Sequence, residues 1–204
     1  MIARRAFTRA GIGAVAFLPL AACHKDWTLC AQDLKPGATV ADLRLTMTEA
    51  ETGRIVTAAD FRGKVVLLYF GYANCPDVCP ITLQETARIL GRLGRKADQV
   101  RVLFVTVDPQ RDTDAVLSHY LALFGRPEFT GLRGTPAQLQ ALAARCHAAY
   151  AVHPSADPAR YTVTHTAAAY VFDRVGKPQF ICAGLSSKTP DLPGITNDLA
   201  HLIG

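Results

Sequence analysis

Val65 to Phe70 reads VVLLYF, six apolar residues in a row with no polar face to offer solvent. A strand of that kind must be covered on both sides, as a central strand is in an open sheet flanked by helices. Val100 to Val107, VRVLFVTV, reads as a second central strand around the apolar Val102–Val105. Between the two runs, Ile81 to Arg95 sets Leu83, Ala87 and Leu90 at helical spacing, with Ile89 and Leu93 beside them. Strand, helix and strand in this order predict a right-handed βαβ unit.

The flanking sequence extends that unit on both sides. Ala41 to Thr48 alternates, with Leu43, Leu45 and Met47 on one face. Thr52-Gly53 then marks a turn, and Arg54 to Thr57 a short returning strand. Asp112-Thr113 predicts a capped helix to about Phe124, and Thr135-Pro136 opens another to about Ala149. Tyr161 to Thr164 and Thr166 to Phe172 read as extended; Asp173 to Lys177 turns the chain, and Gln179 to Cys182 returns. A final helix is expected over Gly194 to Ile203. The expected fold is α/β and thioredoxin-like: a central mixed sheet with flanking helices, an extra N-terminal hairpin and an inserted helix.

With 204 residues, half of them hydrophobic, the chain has material for one well-packed domain, expected over residues 38–204. What precedes it reads differently. Arg4, Arg5 and Arg9 are followed by an apolar run from Ala10 to Ala22. That run is shorter than the roughly 20 residues a membrane span needs, and it fits the apolar part of a secretory signal over residues 1–22. Leu20-Ala21-Ala22-Cys23 resembles the bacterial lipobox, in which the cysteine is lipidated and becomes the new N-terminus. Several acyl chains on Cys23 would give a stable anchor, with residues 23–37 as a polar tether. Arg4-Arg5-Ala6-Phe7 also resembles a twin-arginine export signal. The expected location is therefore outside the cytoplasm, lipid-anchored at the periplasmic face of a bacterial membrane. The formal charge of +5 shrinks accordingly: three of those charges lie in the first 22 residues, which carry no acid, leaving +2 on the other 182. No footprint for nucleic acid remains.

The chemistry is concentrated where the first central strand meets its helix, in Gly71-Tyr72-Ala73-Asn74-Cys75-Pro76-Asp77-Val78-Cys79-Pro80. In open α/β sheets this junction lines the ligand crevice. Pro76 biases Cys75 toward an extended backbone, and Pro80 suits a first helical turn. Both sulfurs thus lie near a helix N-terminus, which favours thiolate over thiol. Cysteines at this spacing can close a disulfide or converge on a metal. His165 precedes the strand AAAYVF, and in a thioredoxin-like sheet the loop there faces the cysteine-bearing loop. Spacing alone favours reading His165 as a satisfied polar residue. As a ligand it would complete a soft three-coordinate set suited to Cu(I) and tolerant of Cu(II). Zinc would want a fourth ligand, and a blue-copper site would have two histidines and one cysteine.

DFRGKVVLLYFGYANCPDVCPITL, VTVDPQRDT and YTVTHTAAAYVFD resemble the Sco/SenC family, a likeness that covers about residues 38–203. The resemblance implies a thioredoxin-like fold and a membrane-tethered copper site made by Cys75, Cys79 and His165. It implies a metallochaperone rather than an enzyme, acting in assembly of the dinuclear copper site of cytochrome c oxidase subunit II. An upstream copper donor would supply it, and an oxidase partner favours the inner membrane. The family is also linked to thiol–disulfide chemistry, so Cys75 and Cys79 as a redox-active disulfide, in a reductase or a redox or copper sensor, stay as alternatives. Asp108 and Arg111 read either as a strand end and ion pair or as residues supporting the site, and Asp77 either as a solvated acid or as one tuning the sulfurs. Asp112 reads either as a helix cap or, with Asp108 and Arg111, as a residue supporting the site or a docking partner. Cys146-His147 with His153 offers a weaker accessory metal site. Cys30 and Cys182 acquire no role. Apart from Met1, Met47 is the single methionine, which excludes a Met-rich copper-handling surface.

Overall fold

The computed structural model describes residues 40–157 and 160–204. The signal segment, Cys23, His24, Cys30 and the tether lie outside the described residues.

The N-terminal hairpin is present. β1 (Thr46–Glu49) pairs antiparallel with β2 (Ile55–Thr57), Met47 facing Val56. The alternation from Ala41 to Thr48 holds in its burial, since Leu43 and Met47 are both core residues. Only its end forms a ladder. Upstream, the extended chain is tied by single bonds, from Ala41 N–H to the Arg145 carbonyl and from Leu43 N–H to the Gly176 carbonyl.

β3 (Val65–Gly71) is buried along its whole length. It runs parallel to β4 (Val100–Thr106) and antiparallel to β8 (Ala168–Phe172). α1 (Val78–Leu93) joins β3 to β4, and its inward face carries Cys79, Leu83, Ile89, Leu90 and Leu93. Full burial of each such aliphatic side chain contributes about 1.5–3 kcal/mol. The helix starts three residues before the predicted Ile81, with Pro80 in its first turn, where a missing N–H costs nothing. That shift places Cys79 inside the helix.

α2 (Asp114–Ala122) is capped by Thr113, whose side chain accepts from Val116 N–H. α3 (Pro136–Cys146) begins with a reciprocal capping box between Thr135 and Gln138. Between them lies β5 (Phe129–Arg133), a strand the sequence reading lacks; it pairs parallel with β4 and antiparallel with β1. β9 (Pro178–Ala183) returns beside β8, and α4 (Leu192–Ile203) packs on α1. The seven-stranded mixed sheet has the order β2-β1-β5-β4-β3-β8-β9. Two further strands, β6 (Tyr150–His153) and β7 (Thr162–His165), form a separate antiparallel ribbon. The α/β thioredoxin-like expectation is met, with β6 taking residues beyond the observed end of the third helix.

Candidate metal centre

The carboxyl end of β3, the first turn of α1 and the last residue of β7 meet at one point. Cys75 Sγ, Cys79 Sγ and a ring nitrogen of His165 all lie within 4.8 Å of one another. Cys79 Sγ is 3.2 Å from His165 Nε2. The Cys79 backbone N–H points at Cys75 Sγ, 3.5 Å away. Both cysteines are thiols rather than a disulfide in this structure. Among the described residues, no other group of three or more His, Cys, Asp or Glu side chains is placed to hold a metal ion.

The two sulfurs are unequal. Cys79 is 0% exposed, whereas Cys75 is half-buried. A hydrogen bond with Cys79 pulls Cys75 down to about 3, helped by the His165 side chain and the Cys79 and Asp77 amides, against the opposing effect of burial. The same bond, and then burial, push the Cys79 thiol above its ordinary range. The half-buried Cys75 is thus favoured as thiolate, and the buried Cys79 as thiol. A thiol nucleophile reacts as its thiolate, so iodoacetamide at pH 5 should modify the reduced protein at Cys75 and spare Cys79. Peptide mapping of the alkylated protein reads this directly, and equal labelling of both cysteines would contradict the asymmetry.

Aromatic rings set the walls. Tyr69 meets the His165 ring edge-on at 5.8 Å between centroids, and Tyr72 does so at 6.0 Å. The Tyr69 hydroxyl donates to Cys79 Sγ at 3.8 Å, and burial raises its pKa. Asp112 ties down the cysteine loop from below. It is 0% exposed, and its Oδ2 accepts from Thr106 Oγ1 at 2.5 Å and from Ala73 N–H at 3.0 Å. Thr113, not Asp112, is the helix cap. Tyr69 and Tyr72 are the site residues that sequence reasoning missed.

Gly71 closes the site from the strand side. A Cβ there would stand 2.7 Å from the Phe104 ring and 2.9 Å from Cys79 Sγ. Gly71→Ala should therefore cost about 1–3 kcal/mol of stability by overpacking and displace Cys79. Urea unfolding of the reduced variant checks the first effect; unchanged stability would mean that the strand end yields freely.

The SCO1/SenC family model matches residues 36–199. The chain belongs to the SCO1/SenC family. Protein SenC of Rhodobacter capsulatus is 39% identical over 124 residues, 61% of this chain and 55% of that protein. The mitochondrial SCO2 homolog of Bos taurus is 36% identical over 126 residues, 61% of this chain and 47% of that protein. The matched part thus spans about half the length of these relatives. Among solved structures, Bradyrhizobium japonicum ScoI with copper bound is 34% identical with a TM-score of 0.70, covering 79% of this chain and 99% of that one.

The other residues singled out from the sequence separate into two groups. Asp108 and Arg111 stand next to the site: Arg111 Nε donates to Asp108 Oδ2 at 2.5 Å, and Asp108 is 3% exposed. Asp77 is exposed at the N-cap of α1 and makes no capping bond with its side chain; its amide, not its carboxylate, serves Cys75. The accessory cluster does not assemble. Burial pushes the Cys146 thiol up to about 12, His147 is the left-handed end of α3 at φ 52°, and His153 bonds to Thr164 Oγ1 on the ribbon. Cys182 is buried on β9 opposite Ala169.

Proposed function

We propose that this chain carries copper as cargo, held by Cys75, Cys79 and His165, and delivers it during assembly of the dinuclear copper site of cytochrome c oxidase subunit II. The observation that carries the reading is the convergence of two sulfurs and one imidazole at the end of a central strand. Two soft donors suit Cu(I), and the imidazole extends the site to Cu(II). With three protein ligands and a half-exposed Cys75, a copper ion would stay accessible for exchange with a partner. The copper-bound ScoI relative supports the choice of metal. The lipobox-like Leu20–Cys23 supports attachment to the periplasmic face of the inner membrane, beside the oxidase and an upstream copper donor. Among the described residues, no helix is long and apolar enough to cross a membrane.

Titration of the reduced protein with Cu(I), in competition with a Cu(I) chelator, should reach one equivalent. Cys75→Ser and Cys79→Ser should each lose that equivalent to the chelator. Retention of one equivalent by both variants would overturn the assignment.

A second reading is favoured by the unequal sulfurs. A half-buried sulfur favoured as thiolate beside a buried thiol is the arrangement of an attacking and a resolving cysteine. Cys75 would attack a partner disulfide, releasing one partner thiolate and forming a mixed disulfide. Cys79 would then give up its proton, attack Cys75 Sγ and release the second thiolate. The partner gains two electrons, and this chain ends as the Cys75–Cys79 disulfide.

A further inference from the structure

His165 rides on β7, a strand that pairs with β6 and stands outside the seven-stranded sheet. A two-stranded ribbon alone is marginal in water, so the imidazole keeps its place only if the ribbon is held to the domain. Thr166 and Ala167 join one end of β7 to β8. The ring's own second nitrogen adds little: Nδ1 is 3.3 Å from the carbonyl of Thr166, the next residue in the chain.

Val163 packs into the core from the middle of β7, and the far end is tied down through Arg111. Arg111 Nη1 donates to the Tyr161 carbonyl at 2.9 Å. Its guanidinium lies 3.6 Å from the centroid of the Tyr161 ring. Its Nε donates to Asp108 Oδ2, and the Tyr161 hydroxyl closes the circuit by donating to Asp108 Oδ1 at 2.5 Å. The same guanidinium lies 5.8 Å from the Tyr72 ring, the ring whose edge meets His165. We propose that Arg111 is a positioning residue for the metal centre: through Tyr161 and Tyr72 it holds β7, and with it the His165 imidazole, against the cysteine loop. The proposal rests on the reading of Cys75, Cys79 and His165 as copper ligands. A guanidinium does this where an ammonium would not, because its planar fork bonds and stacks at the same time.

The test has a metal-free arm and a copper arm. In the metal-free reduced protein, Arg111→Ala should speed amide hydrogen exchange across Thr162–His165 by about tenfold or more while β3 and β4 stay protected. In the copper arm, Arg111→Ala should weaken Cu(II) binding by about 10–100-fold and diminish the imidazole-nitrogen coupling in its electron paramagnetic resonance spectrum. Arg111→Lys should not restore either. Tyr161→Phe, which removes only the bond to Asp108, should fall between the wild type and Arg111→Ala, and it keeps the test open if Arg111→Ala folds poorly. In a His165→Ala background, Arg111→Ala should have no further effect on Cu(II), because the residue acts through the one already removed. Unchanged exchange of β7 in both Arg111→Ala and Tyr161→Phe would overturn the proposal, as would an undiminished Cu(II) loss in the His165→Ala background. A wild-type protein that bound no copper would remove the ligand reading, and the exchange arm would still decide whether Arg111 holds β7.

Discussion

With Cys75 and Cys79 joined as a disulfide, the protein is expected to bind no copper at this site. Copper capture needs deprotonated sulfur, and the disulfide removes two of the three donors at once, leaving His165 alone. Oxidation is within reach because Cys75 is half-buried and held as a thiolate, while Cys79 sits close by in the first turn of α1. Equilibrium dialysis against Cu(I) should give one equivalent for the reduced protein and none for the oxidised one, with full recovery after dithiothreitol. One equivalent on fully oxidised protein would place the copper elsewhere on the chain.

His165→Ala separates the two functional readings. The imidazole is half-buried at the end of a ribbon, so its removal should cost only about 1 kcal/mol of stability. Both sulfurs remain. Cu(I) binding should weaken moderately, because thiolates dominate that ion, while Cu(II) binding should fall by about 100-fold or more, because the nitrogen donor is lost. Copper insertion into the oxidase should fail in cells that depend on the variant. A dithiol reductase would behave otherwise, since its chemistry runs through Cys75 and Cys79 and keeps its rate apart from a modest change in thiolate character. Intact oxidase assembly together with retained Cu(II) affinity in His165→Ala would overturn the copper-carrier reading and promote the reductase.

The parts of the fold legible in the sequence are those fixed by short-range rules. VVLLYF, the second apolar run and the helix between them needed only pattern, and Thr113, Thr135 and Pro136 marked helix starts through local capping. β5 stayed hidden because it is short, does not alternate and contains Gly131. That glycine is required by packing: a Cβ there would lie 2.8 Å from Leu117 Cγ, a constraint set by α2, the helix packed on β5. β6 went unassigned because it lies just past the predicted helix end at Ala149 and is only four residues long; among the described residues its ladder is with β7. At the centre, the two cysteines were readable from their loop. His165 needed the family resemblance, since its partner Cys79 is 86 positions away. Tyr69 read as one more core residue, and Tyr72 as loop. Asp112 read as a cap or a supporting residue, and only the fold shows its carboxylate turned inward to the amide of Ala73 in the cysteine loop. Their roles come from contacts that no local pattern encodes.

X-ray absorption at the copper edge of the loaded, reduced protein tests the central claim most directly, because it reads the donor atoms themselves. The expected spectrum contains two sulfur scatterers and one imidazole, with one sulfur lost in Cys75→Ser and the imidazole lost in His165→Ala. A first shell without sulfur, or one unchanged by both substitutions, would contradict the assignment of Cys75, Cys79 and His165 as the copper site.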